Sequence, residues 1–260
     1  MKILFIGDIV GRTGRSAVKA LLPKIREKNK PDFVIANGEN AAGGFGINEE
    51  TARELFSLGI DVITGGNHIW DKKDIIPLIT KQDRLLRPLN FPPGVPGRGS
   101  VVVPLPGGIS VAVLNLQGRV FMTPIDCPFR AAEEEIKRLK EQTSIIVVDF
   151  HAEATSEKVA MGWFLDGKAT AVIGTHTHVQ TADEKVLPGG TAYITDAGMT
   201  GPADSVIGVK KEQIIDKFLH QMPVRFELPG PPAILCGLLI EADEKTGFAS
   251  SAMRLQLTYP

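Results

Sequence analysis

Seven residues, each just beyond a short apolar run, carry groups that bind metal ions: Asp8, Glu39, Asn40, Asn67, His151, His176 and His178. Together they offer three imidazoles, two carboxylates and two neutral amide oxygens. Mixed nitrogen and oxygen donors without thiolate suit manganese, iron, zinc or cobalt better than copper or iron–sulfur clusters. Seven donors exceed what one tetrahedral ion accepts. The set therefore predicts two ions sharing a bridging carboxylate, for which Glu39 is the candidate. Two ions about 3.5–4 Å apart clamp a phosphoryl group for in-line displacement by an activated water. His68 directly follows Asn67. It is the candidate to protonate the leaving oxygen or to stabilise transition-state charge.

The elements that must position these groups follow from the apolar pattern. Runs at 3–6, 32–36, 61–64, 145–150 and 171–174 have strand length, and each ends in a ligand-type cluster. The clusters are Asp8, Glu39-Asn40, Asn67-His68, His151 and His176-Thr177-His178. Helical periodicity over 16–27 and 49–58 separates the first three runs, which predicts a largely parallel, buried sheet. Ligands bind beyond the carboxyl ends of such strands. One Asp after a strand is ordinarily a cap or turn residue, and it is the repetition at five strand ends that points to a site. His176 and His178 are expected to leave their strand through a bent turn and to serve different ions.

The middle of the chain differs. Residues 87–99 are loop-like, and 101–103 with 110–116 flank Pro106-Gly107-Gly108 as a hairpin. A charged amphipathic helix is expected over 129–141, and alternating strands over 224–258. Neither repeat nor low-complexity linker divides the chain, so one domain over 1–260 is expected. Its class is α/β, with two mixed sheets sandwiched between helices in four layers.

Composition bounds the function. The chain has 260 residues, 43% hydrophobic and 23% charged, with a formal net charge of -1. There is no global basic field to draw nucleic acid or an anionic membrane. Two distant cysteines, Cys127 and Cys236, make neither a disulfide framework nor a thiolate metal site. No apolar run is long enough to span a bilayer, and a cytoplasmic setting is expected.

The strand-end motifs resemble the calcineurin-like metallophosphoesterase superfamily. The counterparts here are Gly7-Asp8, Gly38-Glu39-Asn40, Gly66-Asn67-His68, His151 and Gly174-Thr175-His176-Thr177-His178. Many members carry a His where Val10 stands and an Asp where Glu39 stands. Asn40 is the candidate to fill the coordination place that Val10 leaves. Both departures match the bacterial YmdB-like branch, as do Asn37-Gly38-Glu39-Asn40-Ala41-Ala42-Gly43-Gly44 and the stretch from His151 to Lys158. The resemblance covers nearly the whole chain. It implies a phosphodiesterase acting on cyclic nucleotides, notably 2′,3′-cyclic AMP. It also implies two ions per chain, iron or manganese before zinc or magnesium, and a homo-oligomer. A nucleotide phosphomonoesterase would use the same clamp. A non-catalytic regulator of RNA processing is disfavoured because no ligand is missing.

Several features have plainer readings. Gly11-Arg12-Thr13-Gly14-Arg15-Ser16 lacks the Lys of a phosphate-binding Walker loop. It is either a helix start facing phosphate or a glycine-rich turn. Gly43-Gly44-Phe45-Gly46 is either a mobile loop over the site or, by the plainer reading, a turn needing positive φ. Asp196 reads as a turn residue rather than a partner to a ligating His, Cys127 as structural, and His220 as a helix-terminal surface residue.

Overall fold

A computed structural model describes residues 1–260. In chain order the elements are β1 (Lys2–Ile6), β2 (Asp8–Ile9), α1 (Gly11–Asn29), β3 (Phe33–Asn37), α2 (Glu49–Ser57), β4 (Val62–Thr64) and α3 (Ile75–Lys81). Then come β5 (Ser100–Pro104), β6 (Ser110–Gln117), α4 (Pro128–Lys140), β7 (Ile145–His151), α5 (Thr155–Phe164) and β8 (Ala171–Thr175). The chain closes with β9 (Lys185–Val186), β10 (Ala192–Ile194), β11 (Met199–Pro202), α6 (Lys211–His220), β12 (Ala233–Ala242) and β13 (Ala249–Tyr259).

Two mixed sheets result. In the first, β1 pairs in parallel with β3, and β3 with β4. Antiparallel β12 lies on the other side of β1 and also carries β13 and β11, and β11 pairs with β2. In the second sheet the expected hairpin joins β5 to β6, and β6, β7, β8 and β10 run parallel, with β9 antiparallel at the edge.

Alternating side chains explain the layers, because successive strand residues point to opposite faces. Ile3, Phe5, Phe33 and Ile35 face Val113, Val147, Ile173 and Ile194 between the sheets. Leu4, Ile6 and Val34 point the other way, against Val18 and Leu22 of α1 and Leu55 of α2. On the far side Leu114, Val148 and Val172 meet Ile136 and Leu139 of α4 and Met161 of α5. Each such side chain contributes about 1.5–3 kcal/mol on burial. The architecture is the expected α/β four-layer sandwich, and the parallel strands of both sheets end at one edge.

Two local expectations change, and helix α5 is an addition. Helix α1 begins at Gly11 rather than Ser16. A Cβ on Gly14 would stand 2.2 Å from the Thr200 carbonyl oxygen, so glycine here lets a helix start pack against β11. Helix α5 escapes the periodicity because its buried face carries Glu157 and Lys158 beside Met161 and Gly162. The C-terminal strands begin at Ala233, later than the expected 224.

Candidate metal centre

Asp8 opens β2 directly after β1, Glu39 and Asn40 follow β3, and Asn67 and His68 follow β4. From the second sheet, His151 ends β7, and His176 and His178 leave β8. The structure brings all seven proposed ligands together where the two sheets meet.

Four of them converge on one point. His151 Nε2 lies 2.9 Å from Asn67 Oδ1, 3.0 Å from His176 Nδ1 and 3.0 Å from Glu39 Oε1. Spacings near 3 Å suit neighbouring ligands of an ion bound at about 2.0–2.2 Å. The other residues form the adjoining half. The Asn40 amide nitrogen is 3.2 Å from both Glu39 Oε1 and His178 Nε2. Asp8 accepts the His176 backbone N–H at 3.3 Å through Oδ2. Asp8 Oδ1 and Asn40 Oδ1 are buried with no hydrogen-bond partner. A buried oxygen without a partner costs about 1–3 kcal/mol. Two such oxygens beside a carboxylate and an imidazole are a cradle of the right chemistry for a cation.

Backbone and small residues shape the cradle. Residues i and i+2 of an extended strand share a face, so the separate aims of His176 and His178 need a bend. The bend comes from positive φ at both, 100° and 65°. Gly66 sits so close that a Cβ there would stand 2.2 Å from Glu39 Oε2 and 2.4 Å from His151 Nε2.

Beneath the centre lies a buried polar network that the sequence reading missed. Asp149 accepts hydrogen bonds from the Thr175 hydroxyl at 2.7 Å, the Thr64 hydroxyl and the Asn37 amide at 3.0 Å. Having given its proton to Asp149, the Thr175 oxygen accepts from His151 Nδ1 at 2.9 Å. That leaves His151 Nε2 as the donor atom for a metal. The signal for Asp149 was present: it is the lone carboxylate in the apolar run 145–150.

Electrostatics show how tightly the groups interact. Burial raises the Asp8 carboxyl, with only partial relief from His178 and His151. Burial would also raise Glu39, but the His151 imidazole and the His68 N–H outweigh it and hold the carboxyl at about 2. Burial opposes a charge on His151, yet Glu39 and Asp8 lift it to about 9. His176 is pushed down to about 3, first by burial and then by the His151 charge.

His68 stands at the rim. Its backbone N–H donates to Glu39 Oε2 at 3.1 Å, and its Nδ1 is 2.9 Å from Asp71 Oδ2. Phe45 meets its ring edge-on, with centroids 5.2 Å apart. Phe45 belongs to the expected positive-φ turn, where Gly43, Gly44 and Gly46 have φ of 74°, 96° and 79°. The side chains of Gly11–Ser16 hold neighbouring segments: Arg15 donates to the Ala41 carbonyl oxygen and pairs with Glu54, and Thr13 donates to the Pro229 carbonyl oxygen. Asp196 is more than a turn residue. It is fully buried and bonds Lys158 and Thr177, inside the two-histidine turn.

Comparison with known proteins bears on this geometry. The profile described as YmdB-like protein matches residues 4–255. The chain belongs to the YmdB-like family. One family relative, from Bacillus subtilis strain 168, is named 2′,3′-cyclic-nucleotide 2′-phosphodiesterase. It is 51% identical over 255 residues, covering 98% of this chain and 96% of the relative. A solved structure from Thermus thermophilus, described as a hypothetical protein, superposes with a TM-score of 0.93 at 41% identity and 100% coverage of both chains. A Mycoplasma pneumoniae structure described as a novel phosphatase gives 0.93 at 36%, covering 99% of this chain and 93% of that one. Membership makes the chain a phosphoester hydrolase with the metallophosphoesterase-type fold.

Proposed function

We propose that this chain is a metal-dependent phosphodiesterase that hydrolyses 2′,3′-cyclic nucleotides. The observation that carries the reading is the convergence of seven donor residues, two of which, Asp8 and Asn40, present buried oxygens with no hydrogen-bond partner. The name of the Bacillus subtilis relative supports the substrate class. In this reading Glu39, Asn67, His151 and His176 would hold one ion, and Asp8, Asn40 and His178 would hold the other, with Glu39 placed to serve both. The donor set favours iron or manganese, with zinc or magnesium as further candidates. Bound ions supply an acidified water and neutralise phosphoryl charge.

The chain's own residues do the rest. Asp149 and Thr175 keep the His151 proton on Nδ1. Asp71 engages His68 Nδ1, which turns Nε2 toward the leaving oxygen. Attack of water at phosphorus breaks the bond to the ribose 2′ oxygen. His68 gives that oxygen its proton, and a 3′-phosphate results. Phe45, half-exposed beside His68, offers an apolar edge to the nucleoside.

The same reading takes residues 1–260 as one domain, supported by the pairing of β1 with β12 across the chain. No helix is long and apolar enough to cross a membrane. A cytoplasmic setting is supported by the two unpaired cysteines. A homo-oligomer is supported by α6, which buries none of its residues and exposes Phe218 and Leu219.

The test is elemental analysis of the purified protein with turnover of 2′,3′-cyclic AMP, bis-p-nitrophenyl phosphate and p-nitrophenyl phosphate. Two metals per chain and preference for the diesters are expected. Preference for the monoester would replace the diesterase with a phosphomonoesterase. Full activity with fewer than two metals would overturn the shared-carboxylate arrangement.

A further inference from the structure

We infer that Lys158 and Asp196 are positioning residues whose buried ion pair grips Thr177 and so aims His176 and His178 at their two ions. The inference rests on the metal-centre reading above. It starts from the backbone: both histidines hold positive φ, a region that side-chain-bearing residues avoid unless surrounding structure enforces it. Thr177 is the residue between them, and it is where enforcement is applied.

Asp196 Oδ2 accepts three hydrogen bonds: from Lys158 Nζ at 2.7 Å, from the Thr177 N–H at 3.1 Å and from the Thr177 hydroxyl at 2.5 Å. Lys158 Nζ closes the triangle by donating to the Thr177 hydroxyl oxygen at 3.1 Å. The second Asp196 oxygen takes the Gly198 N–H at 2.7 Å. Lys158 is 1% exposed and Asp196 0%, so water does not compete for these groups. The Lys158 stem passes over Gly174, where a Cβ would stand 2.9 Å from its Cδ.

A buried ion pair is weak evidence of stability, because apolar residues of similar volume do as well or better. What it adds here is direction. Three elements meet in it: α5, which follows the His151 strand, the end of β10, and the turn leaving β8. The pair therefore fixes His176 and His178 relative to the helix that starts three residues after the His151-Ala152 stretch. Partners that orient ligands in this way change metal affinity by roughly 10–100-fold.

The test separates aiming from folding. Lys158→Met combined with Asp196→Leu replaces the pair with apolar volume. Asp196→Leu leaves the Thr177 and Gly198 N–H groups without an acceptor, so the metal-free protein is expected to fold but melt lower, while Mn²⁺ binding to the folded protein by calorimetry weakens about tenfold or more at both positions. Thr177→Ser keeps the amide and the hydroxyl and should bind as wild type. A folded double variant that binds two Mn²⁺ with wild-type affinity overturns the inference. If the double variant does not fold, Thr177→Val decides, since it removes the hydroxyl that both charges use. Wild-type Mn²⁺ affinity in folded Thr177→Val also overturns the inference. The wild-type titration stands apart: no Mn²⁺ bound there sinks the metal-centre reading itself, and this inference with it.

Discussion

Gly66→Ala adds a single methyl group to the chain, and the structure gives its consequence in detail. The new carbon would stand 2.2 Å from Glu39 Oε2 and 2.4 Å from both Nε2 and Cδ2 of His151. Comfortable separations are about 3.5 Å, so the two ligands must part from it by about 1 Å. Neither is free to do so. Both are fully buried, Glu39 is tied to the His68 N–H, and His151 is tied to Thr175. Overpacking of this kind costs about 1–3 kcal/mol, a fall of roughly 2–10 °C in melting temperature for a chain of this size. Catalysis should suffer more, because displacement by about 1 Å costs about 10²-fold in rate. The assay is diester turnover at saturating Mn²⁺, with metal content and thermal melting on the same preparation. A folded Gly66→Ala protein with wild-type metal content and turnover would refute the placement of Glu39 and His151 as ligands of one ion.

Two further outcomes are expected. His68→Ala should lower kcat by about 10²–10⁴-fold while the metal content stays unchanged. Loss of metal in that variant would make His68 a ligand instead. The two cysteines should react differently. Burial would raise the Cys127 thiol, but the N–H groups of Arg130 and Phe129 and the charges of Arg119 and Arg130 bring it below the usual range. Burial pushes Cys236 up to about 11. Because a lowered pKa leaves more thiolate below pH 8, native protein should show one fast thiol with dithiobis(nitrobenzoate) there, abolished by Cys127→Ser. Equal rates for both thiols would contradict this.

The strand-end pattern made much of the molecule legible. Apolar runs and the residues that end them report burial on both faces and a chain reversal, and both are local. That is why the sequence alone nominates Asp8, Glu39, Asn67, His151, His176 and His178 as candidates, which the fold then brings together. Helix α5 is opaque to periodicity because its inward face mixes Glu157 and Lys158 with Met161 and Gly162, and within the family-like stretch nothing marks Lys158 and Glu157 as buried. From sequence Asp196 looks like a turn residue because its partners lie 38 and 19 residues away. Nothing in the spacing reveals which side chains meet beneath a turn. The resemblance to a known family supplied the substrate class, which the donor residues alone do not specify.

The position of β12 also bears on how the chain is made. β12, the antiparallel neighbour of β1, is made more than 200 residues after it and ends at Ala242, whose N–H reaches the Met1 carbonyl oxygen. At about 5–20 residues per second, roughly ten to fifty seconds of synthesis pass before that pairing is available. During that interval the edge of β1 that leads into Asp8 is open to other strands. The nascent chain can assemble its second sheet early, but the strand that leads into Asp8 gains its neighbour only once β12 has been made. Late pairing makes β12, far in sequence from Asp8, a condition for completing the proposed centre.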